Sequence, residues 1–215
     1  VYNAALGAIN KDFKALQYFS SPNQLLATEK SSMAPYGEEG LSRQAYRPGF
    51  DVECCSGNVH RMFPNYISRM WMNGDEHEIV AALYGPSEYR TEINGTKVCI
   101  TEDTSYPFSG KITFRFALDG APVRIPFTMR IPSWVENAKL TVNAEQPKEY
   151  HAGGFSTIER RFKDGDVVEL DIDMKPRAEK RTDAGINVYM GPLLYSVDID
   201  ENVEIIKDQF KTSVA

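Results

Sequence analysis

The chain has 215 residues, a net charge of −6 and three cysteines. That length allows one large or two modest domains with a substantial core, and the acidic balance, without any Lys/Arg cluster, argues against nucleic acid as a partner. No apolar run approaches the ~18 residues of a membrane-spanning helix, and three cysteines, two of them adjacent, are not a disulfide framework.

The chain opens on Val1-Tyr2-Asn3-Ala4-Ala5-Leu6, already within an apolar periodic segment and without a helix cap. It therefore reads as a C-terminal piece of something longer, with any targeting signal upstream. Tyr2 to about Phe13 predicts a helix with Leu6, Ile9 and Phe13 on one face. Lys14 to Phe19 reads as a short extended segment. Residues 20–49 are mostly Ser, Pro, Gly, Glu and Gln with no sustained period; a loop of that length leading straight into the cysteine pair reads as one lining a site, with a solvated surface loop as the alternative. Arg43, Tyr46 and Arg47 are its polar and aromatic groups best placed to reach a ligand.

The loop leads into Glu53-Cys54-Cys55-Ser56-Gly57-Asn58-Val59-His60-Arg61. Ser56 is a good N-cap, and Val59, Met62, Phe63, Tyr66, Ile67, Met70 and Trp71 follow the spacing of one apolar helix face. Pro64 interrupts that face and implies a kink or a fresh helical start. Sulfur just ahead of a helix start feels the positive end of the macrodipole, which favours the thiolate. A single cysteine near a helix is usually packing. Two neighbours cannot both face one core, and a disulfide between them would be strained. Packing and function are evenly matched for this pair on residue types alone. Metal binding is the leading function, with two thiolates making half of a four-ligand zinc shell.

After Trp71, Asn73-Gly74-Asp75 punctuates the chain, and strands are predicted from Glu78 onward. Asn94-Gly95 between two candidate strands is a strong hairpin signal, which accounts for Asn94-Gly95-Thr96 better than a glycosylation site does. Ile112, Phe114 and Phe116 alternate with Thr113 and Arg115. Further strands are predicted at Glu78 to Tyr84, Val123 to Ile131, Ala138 to Val142, Phe155 to Arg160, Val167 to Ile172, Ile186 to Met190 and Leu193 to Val197. Turn residues between them argue a β-sandwich. Cys99 falls in a strand and is expected to pack.

Cys54-Cys55-Ser56-Gly57-Asn58-Val59-His60-Arg61 resembles the Cys-Cys-x-x-Asn-x-x-Arg signature of glycoside hydrolase family 127, the β-L-arabinofuranosidases and their relatives. Tyr106-Pro107-Phe108-Ser109-Gly110, Arg130-Ile131-Pro132-Ser133-Trp134, Gly165-Asp166 and Gly191-Pro192-Leu193-Leu194-Tyr195 follow in the family's order. The resemblance implies an α+β fragment: the last helices of an (α/α)6 barrel in residues 1–75, an all-β sandwich in residues 76–200, and a tail or further domain from 201. It also implies a retaining glycosidase acting on L-arabinofuranose-like residues of plant-type glycans, with this fragment alone inactive. Cys54 would be the nucleophile and a zinc ligand, Cys55 a second ligand, and Tyr18 a substrate contact. The remaining ligands, a Glu and a Cys from a Glu-x-Cys motif, would lie upstream, with the general acid and sugar-binding histidines. The only Glu-x-Cys here is Glu53-Cys54-Cys55 across the pair itself. His60 fits a structural role better than ligation. Ser56-Gly57 replaces the family's common Pro-Pro, which points to a divergent branch.

Two other classes compete. A non-catalytic carbohydrate-binding or scaffold module would place the function in the sandwich. A vicinal-dithiol redox or metal-storage protein would leave the long β region without a purpose. A barrel cut short would expose apolar surface, so self-association is expected.

Overall fold

The computed structural model describes residues 2–17, 54–151, 153–181, 185–198, 200 and 202. The chain divides into two units, Phe63–Leu194 and the remainder, Val1–Met62 with Tyr195–Ala215. Among the described residues there is one α-helix, α1 (Cys54–Ile67), and thirteen strands in three sheets. The expected barrel helices are not evident among them.

At the start of the chain, the helix predicted from Tyr2 to Phe13 is cut short. Tyr2–Leu6 forms a single π-helical stretch, after which Ile9 and Leu16 pair as an antiparallel bridge. Asn10 explains the change: its side-chain oxygen accepts the backbone N–H groups of Lys14 and Ala15, each at 2.9 Å, which closes a turn that competes with helix. Phe13 sits at φ 59 with its ring exposed, so it does not share a buried face with Leu6.

Helix α1 also departs from expectation. It begins at Cys54, so Ser56 lies inside its first turn and is not the cap, and it runs through Pro64 to Ile67. Pro64 costs the bond its N–H would have made to the preceding turn. The helix ends in a turn at Ser68–Met70, and Trp71 belongs to strand β1 (Trp71–Asn73).

The sandwich follows the predicted pattern closely. One sheet runs β1, β2 (Ile79–Ala81), β6 (Val123–Ile131) and β9 (Gly154–Phe162), with β2 and β6 parallel. The other runs β3 (Ser87–Ile93), β4 (Thr96–Thr104), β5 (Lys111–Asp119), β10 (Val167–Ile172), β7 (Asn137–Val142) and β8 (Lys148–His151), all antiparallel. Asn94 and Gly95 take φ 50 and 79 between Ile93 and Thr96, the left-handed pair that a two-residue hairpin demands. Pro126 is tolerated in β6 because β2 reaches only residues 127–129, so no β2 ladder bond is lost at 126.

Alternation delivers the core. Phe114 and Phe116 from the six-stranded sheet meet Phe127 from the four-stranded sheet edge-on, with ring centroids 5.0 and 5.2 Å apart. Phe116 stacks on Phe162 at 4.1 Å. All four rings are fully buried. Each such ring contributes roughly 1.5–3 kcal/mol by burial alone. A third sheet, β11 (Pro176–Lys180), β12 (Ile186–Met190) and β13 (Leu193–Tyr195), completes the fold.

Candidate functional site

Cys54 and Cys55 occupy the first turn of α1. The pair therefore opens the helix rather than preceding it. Tyr18, Arg43, Tyr46, Arg47 and Glu53 lie outside the described residues. His60 is exposed on α1, and His77 is exposed in the turn between β1 and β2. Among the described residues no three His, Cys, Asp or Glu side chains gather closely enough to hold a metal ion. The donor chemistry of two adjacent thiols suits zinc, but they make half a shell.

Cys99 is a different kind of thiol. It lies half-buried on β4, and burial, then the nearby Glu88 carboxylate, push it above its ordinary range. That suppresses the thiolate and makes it a poor nucleophile. The packing expected for it is only partial, since its neighbours on β3 are Glu88 and Arg90 rather than core residues.

The motif residues of the sandwich build joints. The Arg130 Nε–H donates to the Ala82 carbonyl at 2.7 Å, and the Tyr84 hydroxyl returns a bond to the Arg130 carbonyl at 2.5 Å. Burial raises Tyr84 well above the usual phenol range, and burial likewise pushes Tyr106, whose ring meets Tyr84 edge-on at 5.6 Å, up to about 12. Both phenols therefore stay protonated donors throughout the neutral range. Tyr66, in the last turn of α1, donates to the Tyr84 carbonyl at 2.9 Å. The Met70 carbonyl accepts from the N–H groups of Ala82 and Leu83 at 2.9 and 3.3 Å. Helix exit, the 82–85 segment and β6 are thus stitched together.

Gly110 closes the Tyr106-Pro107 motif because a Cβ there would overlap the Ile172 carbonyl oxygen. Trp134 lies beneath the Arg177 guanidinium at 6.0 Å, and Arg177 also covers the Tyr189 ring at 4.5 Å and donates to the Gly191 carbonyl. Asp166 is buried and accepts from the Asn143 amide at 2.9 Å and the Lys163 N–H at 3.0 Å. These residues position backbone. None of them has the paired acid and base geometry of a glycosidase centre.

The sequence reading passed over Glu102. It is a carboxylate at an inward position of β4, in line with the buried Thr96, Val98 and Ile100. Its two oxygens accept the Gly85 N–H and the Ser87 hydroxyl, both at 3.0 Å, and the Trp71 indole N–H donates to the Ser87 oxygen at 3.0 Å. Burial, only partly offset by those two donors, pushes Glu102 up to about 7. The signal was available: continuing the period of two from Val98 and Ile100 puts residue 102 inside.

A shallow groove of about 190 Å³ lies between Asn73, Glu78, Tyr89 and Thr91, with His77 at its rim. It is smaller than the ~300 Å³ lower end of ligand pockets. Glu76 and His77 beside it take φ 51 and 67, an uncommon left-handed pair for residues other than glycine.

Comparison with known proteins gives this geometry its context. Residues 78–174 match the family model described as "Beta-L-arabinofuranosidase, GH127 middle domain". Three solved structures cover most of the chain. One titled "Glycoside hydrolase" has TM-score 0.71 at 25% identity over 90% of this chain and 32% of its own. A GH127 β-L-arabinofuranosidase from Geobacillus Stearothermophilus T6 has TM-score 0.71 at 21% identity over 90% of this chain and 31% of its own. A GH127 β-arabinofuranosidase has TM-score 0.65 at 20% identity over 88% of this chain and 30% of its own. The last two speak for the fold alone. The chain thus spans about a third of the length of these structures. No curated protein matches it.

Proposed function

We propose, from the match of residues 78–174 to the middle-domain model of glycoside hydrolase family 127, that this chain supplies the cysteine nucleophile of a retaining glycosidase acting on L-arabinofuranose-like residues of plant-type glycans. The observation that carries the reading is the adjacent Cys54 and Cys55 in the first turn of α1, shortly ahead of the matched middle domain. The Cys54 thiolate attacks the anomeric carbon, forming a carbon–sulfur bond as the bond to the departing oxygen breaks. That oxygen takes a proton from an acid expected upstream. Water then displaces the sulfur from the same face as the original leaving group, giving its proton to the now deprotonated acid, and two inversions give net retention.

Cys54 and Cys55 are the residues here that would hold zinc, with a Glu and a Cys expected upstream to complete four ligands. Bound zinc supplies positive charge that keeps both thiols ionised and makes sulfur a better leaving group. The helix start contributes in the same direction. The sandwich supports this chemistry by holding the exit of α1 through Tyr66 and Met70.

The test uses the full-length gene product that contains this chain, assayed on p-nitrophenyl β-L-arabinofuranoside. Cys54→Ser is expected to lower kcat/KM by about a thousandfold or more with an unchanged circular dichroism spectrum. Activity within about tenfold of wild type would overturn the assignment of Cys54.

A further inference from the structure

The connection from β2 to β3, residues 82–86, is held at one end by a carboxylate whose partners, among the described residues, include no cation. Glu102 is 2% exposed. Its oxygens hold the Gly85 N–H and the Ser87 hydroxyl, and through Ser87 the Trp71 indole. Those three residues come from the connection, from β3 and from β1, which lie in or between the two facing sheets. Across β4, the register partners of Glu102 are Ser87 and Phe114. We propose that Glu102 is a pH-sensitive clasp that fastens the β2–β3 connection and β1 to strand β4 in mild acid and loosens as the solution becomes neutral to alkaline.

The groups around it decide the direction. Arg130, on β6, spends its Nε–H on the Ala82 carbonyl and acts electrostatically on Tyr84 and Tyr106, not on Glu102. Tyr84, from the connection, stays neutral and is itself raised by the Glu102 charge. Tyr106, from the β4–β5 connection, and Tyr66, from α1, lie beyond Tyr84. Glu88 and Arg90 of β3 pair with each other beside Cys99, at a β4 position of opposite parity to Glu102, and so on the opposite face. Among the described residues, the Glu102 charge is therefore met by neutral donors.

Both protonation states can be bonded. The ionised form accepts from Gly85 and Ser87. The acid form keeps the Gly85 bond and donates its own proton to the Ser87 oxygen, whose hydroxyl is free to rotate. What differs is the cost of burying an uncompensated charge. The folded chain holds the proton up to about pH 7, against 4.5 for an ordinary Glu. Between those values the unfolded chain carries fewer protons than the folded one, so stability falls as pH rises from about 4.5 to about 7 and levels off above.

Urea unfolding of the 215-residue chain at pH 5, 6, 7 and 8, followed by Trp fluorescence and circular dichroism, tests the clasp. Glu102→Gln keeps the shape and one acceptor but cannot ionise. The wild-type unfolding constant is expected to rise about tenfold or more between pH 5 and 8 relative to that of Glu102→Gln. Parallel pH profiles, or wild type gaining on the variant as pH rises, would overturn it. Should Glu102→Gln not fold, carboxyl carbon NMR of the wild-type chain decides instead. A Glu102 midpoint within about one unit of 7 upholds the clasp. One below that range overturns it.

Discussion

The two units of the chain use apolar residues in opposite ways. In Phe63–Leu194, alternate residues of β4, β5 and β10 are buried, and Phe114, Phe127, Phe162, Ile100 and Leu170 are fully so. In the other unit, Ala5 is the one buried hydrophobic among the described residues, while Phe13 and Val197 are each about three-quarters exposed. The sandwich unit builds a core of its own, although Phe108, Phe155 and Ile186 stay exposed on it. The unit that carries Cys54 and Cys55 builds none among its described residues, and the chain spans about a third of the structures it resembles. Stability is thus concentrated in one unit, and the proposed chemistry in the other.

The largest effect that could break this contrast is at Phe127, which touches Phe114, Phe116 and Phe162. Phe127→Ala removes a ring at the meeting of both sheets and is expected to cost about 3–5 kcal/mol in urea unfolding. A loss under about 1 kcal/mol would mean that the sandwich is not where the stability lies. Tyr66→Phe sharpens the boundary, because it deletes the bond from the last turn of α1 to the Tyr84 carbonyl and keeps the ring. It should cost about 1 kcal/mol. No change would separate the helix exit from the sandwich. The smallest effect is expected at Arg124, whose guanidinium is 2.6 Å from Glu159 but half-exposed. Arg124→Ala should leave the urea midpoint within error, since solvent screens such pairs.

The same contrast explains what could be read in advance. Strands β6, β10 and β12 begin and end where periodicity put them. A strand buried on one face writes its burial into neighbouring residues, and turns such as Asn94-Gly95 write theirs into backbone preference. Strands β1, β8 and β11 were missed because each is short and lies at the edge of its sheet, so little of its burial comes from its own residues. The predicted helix from Tyr2 to Phe13 failed because Asn10 offers the backbone a competing set of bonds, and apolar spacing does not register that competition. Ser56 failed as a cap for a related reason, since a good capping residue is also tolerated within a first turn.

The amino-acid sequence by itself determined the β-rich character of the chain after Trp71, the bounds of β6, β10 and β12, the resemblance to glycoside hydrolase family 127 and the place of the adjacent cysteines in the chain. These depend on local pattern and on ordered motifs, which survive without knowledge of what each residue faces. Only the tertiary structure decided what the motifs do: Arg130, Trp134 and Gly110 hold backbone together across long separations. It also decided that Glu102 is a buried carboxylate flanked by neutral donors. A side chain's charge cost depends on which neighbours the fold brings to it, and for Glu102 those come from residues 71, 85 and 87, fifteen or more positions away.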